Sequence, residues 1–190
     1  PGVVGLPLTV NEIKIVDSAG LEVEQGEIGE LNVRGKNIAT RYLGYAGPAL
    51  HEGWLKTGDM GRVEADGNIA LVGRRANIVN RGAYKIYSVE VEEALVTLDG
   101  VQEAAVIGVP HPLLGEDLIA YVTPEDVPSS TQLLGLLRQK ISSYKVPTQI
   151  FPIAEIPKNK MGKVIREALA KRFSDRRRVE VPVNDSAISS

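Results

Sequence analysis

The residues equipped for chemistry fall into four short polar motifs: Thr57-Gly58-Asp59, Gly73-Arg74, Arg81-Gly82-Ala83-Tyr84-Lys85, and Pro157-Lys158-Asn159-Lys160-Met161-Gly162-Lys163. An ionised carboxylate such as Asp59 accepts from both hydroxyls of a ribose, each charge-assisted bond contributing about 1.5 to 3 kcal/mol. A guanidinium such as Arg74 suits a ribose or a phosphate. An ammonium on a glycine turn, as at Lys163, supplies positive charge where negative charge develops in a transition state. In this order the motifs look like a nucleotide site divided between two bodies. Each also has a plainer reading: Asp59 as a turn aspartate, Arg81 and Lys85 as solvated charges, Lys163 as a surface lysine. Gly162-Lys163 is not a phosphate-binding P-loop, because Pro157 and Val164 stand where that loop needs glycine and Ser or Thr. No G-x-G-x-x-G dinucleotide fingerprint occurs either.

The chain has 190 residues, 43 % of them hydrophobic, enough for one ordinary domain or two small ones. With 22 basic and 24 acidic residues the net charge is −2, so the charge balance offers nothing for nucleic acid or an anionic membrane. There is no cysteine, and His51 and His111 stand alone, so no protein-bound metal site is expected. The apolar start, Pro1 to Val10, contains two prolines, lacks a basic flank and is too short to span a bilayer. A cytoplasmic protein is the default expectation.

The elements that must position the motifs change character along the chain. From Val10 to about Leu71, β-type runs such as Glu12 to Val16 and Gly29 to Gly35 alternate with turn signals, and Asp66-Gly67 has the form of a tight hairpin. This stretch, 1–73, predicts a small β-barrel-like subdomain in which Trp54 and Tyr42 pack. After a short polar junction at 74–77, residues 78–173 predict an α+β module. Ser88 is the expected cap of a helix carrying Val91, Leu95 and Leu98 on one face, which Asp99-Gly100 ends. Strands follow at about 101–109 and 118–122, a helix at about 132–142, a strand near 149–153 and a closing helix from about Val164 to Phe173. The tail, 174–190, with Arg176-Arg177-Arg178, is expected to fray.

The ordered motifs resemble the C-terminal third of the adenylate-forming superfamily, which contains acyl- and aryl-CoA ligases, nonribosomal peptide synthetase adenylation domains and luciferases. The resemblance rests on Gly53-Trp54-Leu55-Lys56-Thr57-Gly58-Asp59, on Gly73-Arg74, on Arg81 through Glu92, on Val106 through Glu116, and on Ser143-Tyr144-Lys145-Val146-Pro147 leading to Gly162-Lys163 and Arg166. It covers Val4 to Phe173. It implies a β-subdomain closing a large N-terminal domain, a hinge, and a mobile α+β C-terminal domain.

By that resemblance Lys163 is the catalytic lysine of adenylation, Asp59 and Arg74 hold the nucleotide, and the module pivots at Ala76. Arg81, Gly82, Ala83 and Lys85 border the CoA thiol channel. The family usually carries aspartate or lysine at position 76, glycine at 83 and aspartate at 111, where this chain has Ala76, Ala83 and His111. The implied reaction takes a carboxylic acid and ATP to acyl-AMP, then uses CoA to form a thioester, with Mg2+ held mainly by ATP and by residues outside this chain. The phosphate loop and acyl pocket would lie in a missing N-terminal domain before Pro1. Three other readings stay open: a carrier-protein-acylating or peptide synthetase adenylation domain, a variant performing one half-reaction, and a non-catalytic docking module. No nucleic-acid or membrane partner is implied.

Overall fold

The computed structural model describes residues 3–41, 50–124 and 126–180; the sequence expectation for Tyr42 lies outside them. The chain folds as two compact units, which separate between Ile78 and Val79.

The first unit is an antiparallel sheet of β1 (Val3–Gly5), β2 (Asn11–Val16), β3 (Gly29–Gly35), β4 (Leu55–Val63) and β5 (Ile69–Arg74), in the order β1-β5-β4-β3-β2. No ladder joins β1 to β2 among the described residues, so the sheet is open there. Asp66-Gly67 makes the β4–β5 turn: Gly67 sits at φ 84°, and the Asp66 carboxylate accepts from the Asn68 backbone. The aspartate and asparagine of this turn share a second bond at 2.7 Å, and the Asp66 carboxyl is held below its usual range by the Asn68 backbone and side-chain donors. Two cations, Lys14 and Arg34, each lie 4.5 Å from the Trp54 ring centroid.

In the second unit a mixed sheet centres on β9 (Gly115–Thr123). One edge of β9 pairs antiparallel with β8 (Glu103–His111) along its whole length. β10 (Gln149–Pro152) adds in parallel along 119–122, and β6 (Ile78–Arg81) pairs antiparallel where Arg81 meets Gly115. β7 (Tyr84–Tyr87) lies beyond β6. The unbroken apolar run of β9 follows from burial on both faces. Leu118, Ala120 and Val122 meet α1 (Ser88–Val96) and α2 (Ser130–Leu137) through Val91, Leu95, Leu133 and Leu137. Ile119 and Tyr121 meet α3 (Arg166–Glu180) through Leu169 and Phe173. The molecule is thus mixed α+β, with two sheets and three α-helices among its described residues. None of these helices is long and apolar enough to cross a membrane.

Several expectations are corrected. Ser88 does not cap α1; its hydroxyl is buried without a hydrogen-bond partner, because Tyr87 holds the cap position. α2 begins at a capping box in which Ser129 and Gln132 bond reciprocally, and ends at Leu137 rather than near Ser142. Ser129→Ala should therefore destabilise the second unit by about 1 kcal/mol, read as a shift in its denaturation midpoint. α3 continues through 174–180, where fraying was expected. Its extension is held by Arg176 and Arg177, whose guanidinium groups lie 4.9 Å and 5.7 Å from the rings of Phe151 and Phe173.

Candidate functional site

In the first unit, Asp59 and Arg74 are cross-strand partners on β4 and β5. Arg74 Nε forms an ion pair with Asp59 Oδ1 at 2.6 Å, with the arginine largely exposed and the aspartate about a quarter exposed. Thr57 sets the approach: its hydroxyl donates to the Leu31 carbonyl at 2.9 Å and accepts from the Asp59 N–H at 3.0 Å. Gly58 between them has φ 74°, which a side chain would strain, and open space where a Cβ would point. The register slips between Met60 and Gly61, and a Cβ on Gly61 would stand 2.8 Å from the Ala70 carbonyl oxygen. These constraints fix Asp59 opposite Arg74. The pair uses one carboxylate oxygen and the arginine Nε, leaving Asp59 Oδ2 and the outer guanidinium edge for a ligand with both acceptors and hydroxyls. That donor set fits a nucleotide ribose and phosphate.

Ala76 is exposed within a single 3-10 turn, Arg75–Asn77. Arg75, itself largely exposed, pairs at 2.7 Å with Glu30, whose side chain is only 10% exposed. Nothing in the sequence pattern pointed to that partner.

In the second unit, Arg81 to Lys85 forms a hairpin tip between β6 and β7. Gly82 and Ala83 form its two-residue turn, and Gly82 takes φ 61° at the first turn position, where a type II′ turn places glycine. Gly82, Ala83, Tyr84 and Lys85 are exposed, and Lys85 has no ion pair among the described residues. Arg81 differs. Its Nε pairs with Asp117 at 2.9 Å, and Nη1 donates to the Tyr144 and Val146 carbonyls at 3.1 Å and 3.0 Å. With both ion-pair side chains largely buried, Arg81 locks the base of the hairpin instead of offering a free cation. Tyr84 stacks on Tyr144 with centroids 4.3 Å apart, joining the hairpin to the Tyr-Lys-Val-Pro segment. Lys145 in that segment pairs with Glu90 at 2.5 Å. Burial pulls against its charge, but the Glu90 hydrogen bond and charge leave its pKa above the ordinary lysine value.

Lys163 projects from an exposed turn organised by Asn159. The Asn159 side-chain carbonyl accepts from the Met161 and Lys163 N–H groups at 2.9 Å and 3.0 Å, while Asn159 N–H donates to the Lys163 carbonyl at 2.8 Å. Gly162 supplies φ 77°. The two ends of the turn are tied to β8 and α1. Lys158 pairs with Glu103 at 2.5 Å, and Arg166 Nη2 donates to Glu92 Oε1 at 2.7 Å. The same Glu92 oxygen accepts from Val106 N–H at 2.8 Å. The ammonium of Lys163 has no partner among the described residues. A free cation on a fixed turn is the arrangement needed to meet charge that develops on a bound ligand. Asn159 and Glu92 were missed as supports; an asparagine two residues before Met161 is the turn signal that could have found the first.

His111 closes the β8–β9 connection, its Nδ1 accepting from the Leu113 and Leu114 N–H groups at 3.2 Å each. Among the described residues no cluster of three acidic, histidine or cysteine side chains could hold a metal ion.

Residues 90–163 match the model of the AMP-binding enzyme C-terminal domain family. A long-chain-fatty-acid–CoA ligase of Salmonella typhimurium is 35% identical over 176 residues, covering 88% of this chain and 31% of that protein. A 2-succinylbenzoate–CoA ligase of Enterococcus faecalis is 34% identical, covering 87% of this chain and 34% of that protein. Among solved structures, the o-succinylbenzoate CoA synthetase of Bacillus subtilis in complex with its acyl-adenylate intermediate superposes with a TM-score of 0.81 at 32% identity, covering 88% of this chain and 35% of that one. The chain spans about a third of the length of the curated relatives it matches.

Proposed function

We propose, from the premise that this chain belongs to the adenylate-forming superfamily with residues 90–163 as its AMP-binding enzyme C-terminal domain, that it is the C-terminal part of an ATP-dependent acid–CoA ligase. The observation that carries the reading is Lys163: an unpartnered ammonium on a turn tied down at both ends. In the first half-reaction the acid's carboxylate oxygen bonds to the α-phosphorus of ATP and the bond to pyrophosphate breaks. Lys163 meets the negative charge that spreads over the α-phosphate and leaving group, a contact stronger in the transition state than before it. Asp59 takes the ribose hydroxyls on its free oxygen, and Arg74, already aligned by the carboxylate, turns its outer edge to the nucleotide. In the second half-reaction the CoA sulfur displaces AMP from the acyl carbon.

The exposed Gly82-Ala83 turn borders the thiol path, Lys85 serves a CoA phosphate, and Arg81 holds the hairpin in shape. Mg2+ bound with ATP would supply neutralisation of the phosphate charge, and no residue of this chain is assigned to hold it. Residues 1–73 are the barrel-like end of the large N-terminal domain, residues 78–173 are the mobile C-terminal domain, and 74–77, at the end of the first compact unit, are the hinge on which Ala76 places no side-chain anchor. The enzyme works in the cytoplasm.

Asp59→Asn tests the nucleotide half. It keeps the shape but removes the charge, so kcat/KM for ATP should fall roughly 10- to 100-fold, the equivalent of about 1.5 to 3 kcal/mol for charged hydrogen bonds. Steady-state kinetics at saturating acid and CoA measure this. An unchanged ATP dependence would remove Asp59 from the nucleotide.

A further inference from the structure

A cleft of about 520 Å3 opens in the second unit between the sheet and the C-terminal half of α3. It shares no lining residue with the nucleotide pair, the Lys163 turn or the Gly82 hairpin. Its walls divide by chemistry. Val109, Ile119 and Phe151 from the sheet, with Phe173 from α3, give an apolar floor. Arg176 and Arg177 stand over two of those rings, and neither has a carboxylate partner among the described residues. Neither guanidinium donates a hydrogen bond to another described residue, so their N–H groups remain available to a ligand.

The other polar groups favour an anion too. The bonds to His111 Nδ1 place the proton of the neutral ring on Nε2, making that nitrogen a donor. The Gln149 amide has no partner among the described residues. Asp117 is the one carboxylate in the lining, and its charge is already taken by Arg81 and the Leu118 N–H. The cleft therefore carries excess positive charge above an apolar base.

We propose that this cleft binds a small organic acid, its carboxylate held by the Arg176 and Arg177 edges and its apolar body laid against Phe151, Phe173 and Ile119. A bare phosphate fits the charge but would turn oxygens toward Val109 and Ile119, where nothing donates to them. A neutral apolar molecule would fill the floor and leave the two guanidinium groups unanswered. Binding here stands apart from the ligase reading, since none of the residues involved carries a role in adenylation or thioester formation.

The test titrates the full chain with hexanoate, 1-hexanol and inorganic phosphate at equal concentrations, following backbone amide shifts by NMR. Hexanoate should shift Gln149, Phe151 and Phe173 saturably, while hexanol and phosphate leave them near their starting positions. Arg176→Gln and Arg177→Gln should each weaken hexanoate by about tenfold or more, the usual result of losing a charged hydrogen bond. Lys171→Gln, which removes an equal charge elsewhere on α3, should not. Absence of shifts in the cleft, equal shifts from phosphate or hexanol, or an affinity unaffected by either arginine substitution would overturn the proposal. The three-probe comparison needs no variant, so it decides the matter even if a substitution loosens α3.

Discussion

Replacing Lys163 with alanine in the enzyme that carries this chain should slow adenylation by about 10² to 10³, the usual cost of deleting one transition-state donor. Thioester formation from supplied acyl-AMP should proceed at close to the parent rate. The split is expected because the turn does not depend on the lysine side chain: Asn159 bonds to the backbone N–H and carbonyl of residue 163, and alanine keeps both. Lys158 and Arg166 remain tied to Glu103 and Glu92. The neighbouring exposed Lys160 is the natural control, and Lys160→Ala should leave pyrophosphate release near the parent value. Unchanged pyrophosphate release in Lys163→Ala would take the lysine out of the chemistry.

Arg81→Ala should produce the largest stability effect among the polar residues of the second unit, about 3 kcal/mol. It leaves the largely buried Asp117 carboxylate without its counter-charge and orphans the Tyr144 and Val146 carbonyls. Because the chain has two compact units, the loss should be read from an unfolding probe within the second, such as NMR signals of Leu118 and Tyr121, rather than from a single global transition. Replacing both members, Arg81→Met with Asp117→Leu, should recover part of the loss, since an apolar pair removes the desolvation cost along with the attraction. If Arg81→Ala instead leaves stability intact and raises only the KM for CoA, the arginine is a ligand contact and its bonds to the sheet are incidental.

Much of the fold can be read from local signals. Asp66-Gly67 between β-type runs, the glycine after Asp99 and the Leu118 to Val122 run each have a local physical cause and each appear where that cause places them. What escapes the sequence depends on partners distant along the chain. β1 has three residues and exists through its pairing with β5, so no local pattern marks it. β6 and β7 carry the polar motif residues Arg81, Tyr84 and Lys85, so no clean alternation marks them as strands, although Val79 and Ile86 are core residues. α3 outlasts its apolar stripe because two arginines cover aromatic rings from outside the core. Ser88 has the side chain of a cap and the burial of a core residue, and burial decides its role.

The candidate site divides in the same way. The types of Asp59, Arg74 and Lys163 announce their chemistry, and spacing along the chain announces the motif order. The pairing of Asp59 with Arg74 needs the β4–β5 register, and the inward turn of Arg81 needs Asp117, 36 positions later in the chain. Lysine and arginine look equally free in a sequence. In the folded unit Lys85 and Lys163 have no ion-pair partner among the described residues, while Arg81 and Arg166 are paired with Asp117 and Glu92.

The proposed reaction of these residues passes through an acyl-adenylate to a CoA thioester. Mass spectrometry of the products formed by the enzyme from a panel of carboxylic acids, ATP, Mg2+ and CoA tests it most directly. Acyl-CoA and AMP should appear in equal amounts, with pyrophosphate, and all three should form about 10² to 10³ times more slowly in Lys163→Ala. ADP with inorganic phosphate in place of AMP, or acyl-AMP that passes to a carrier-protein thiol and never to CoA, would contradict it.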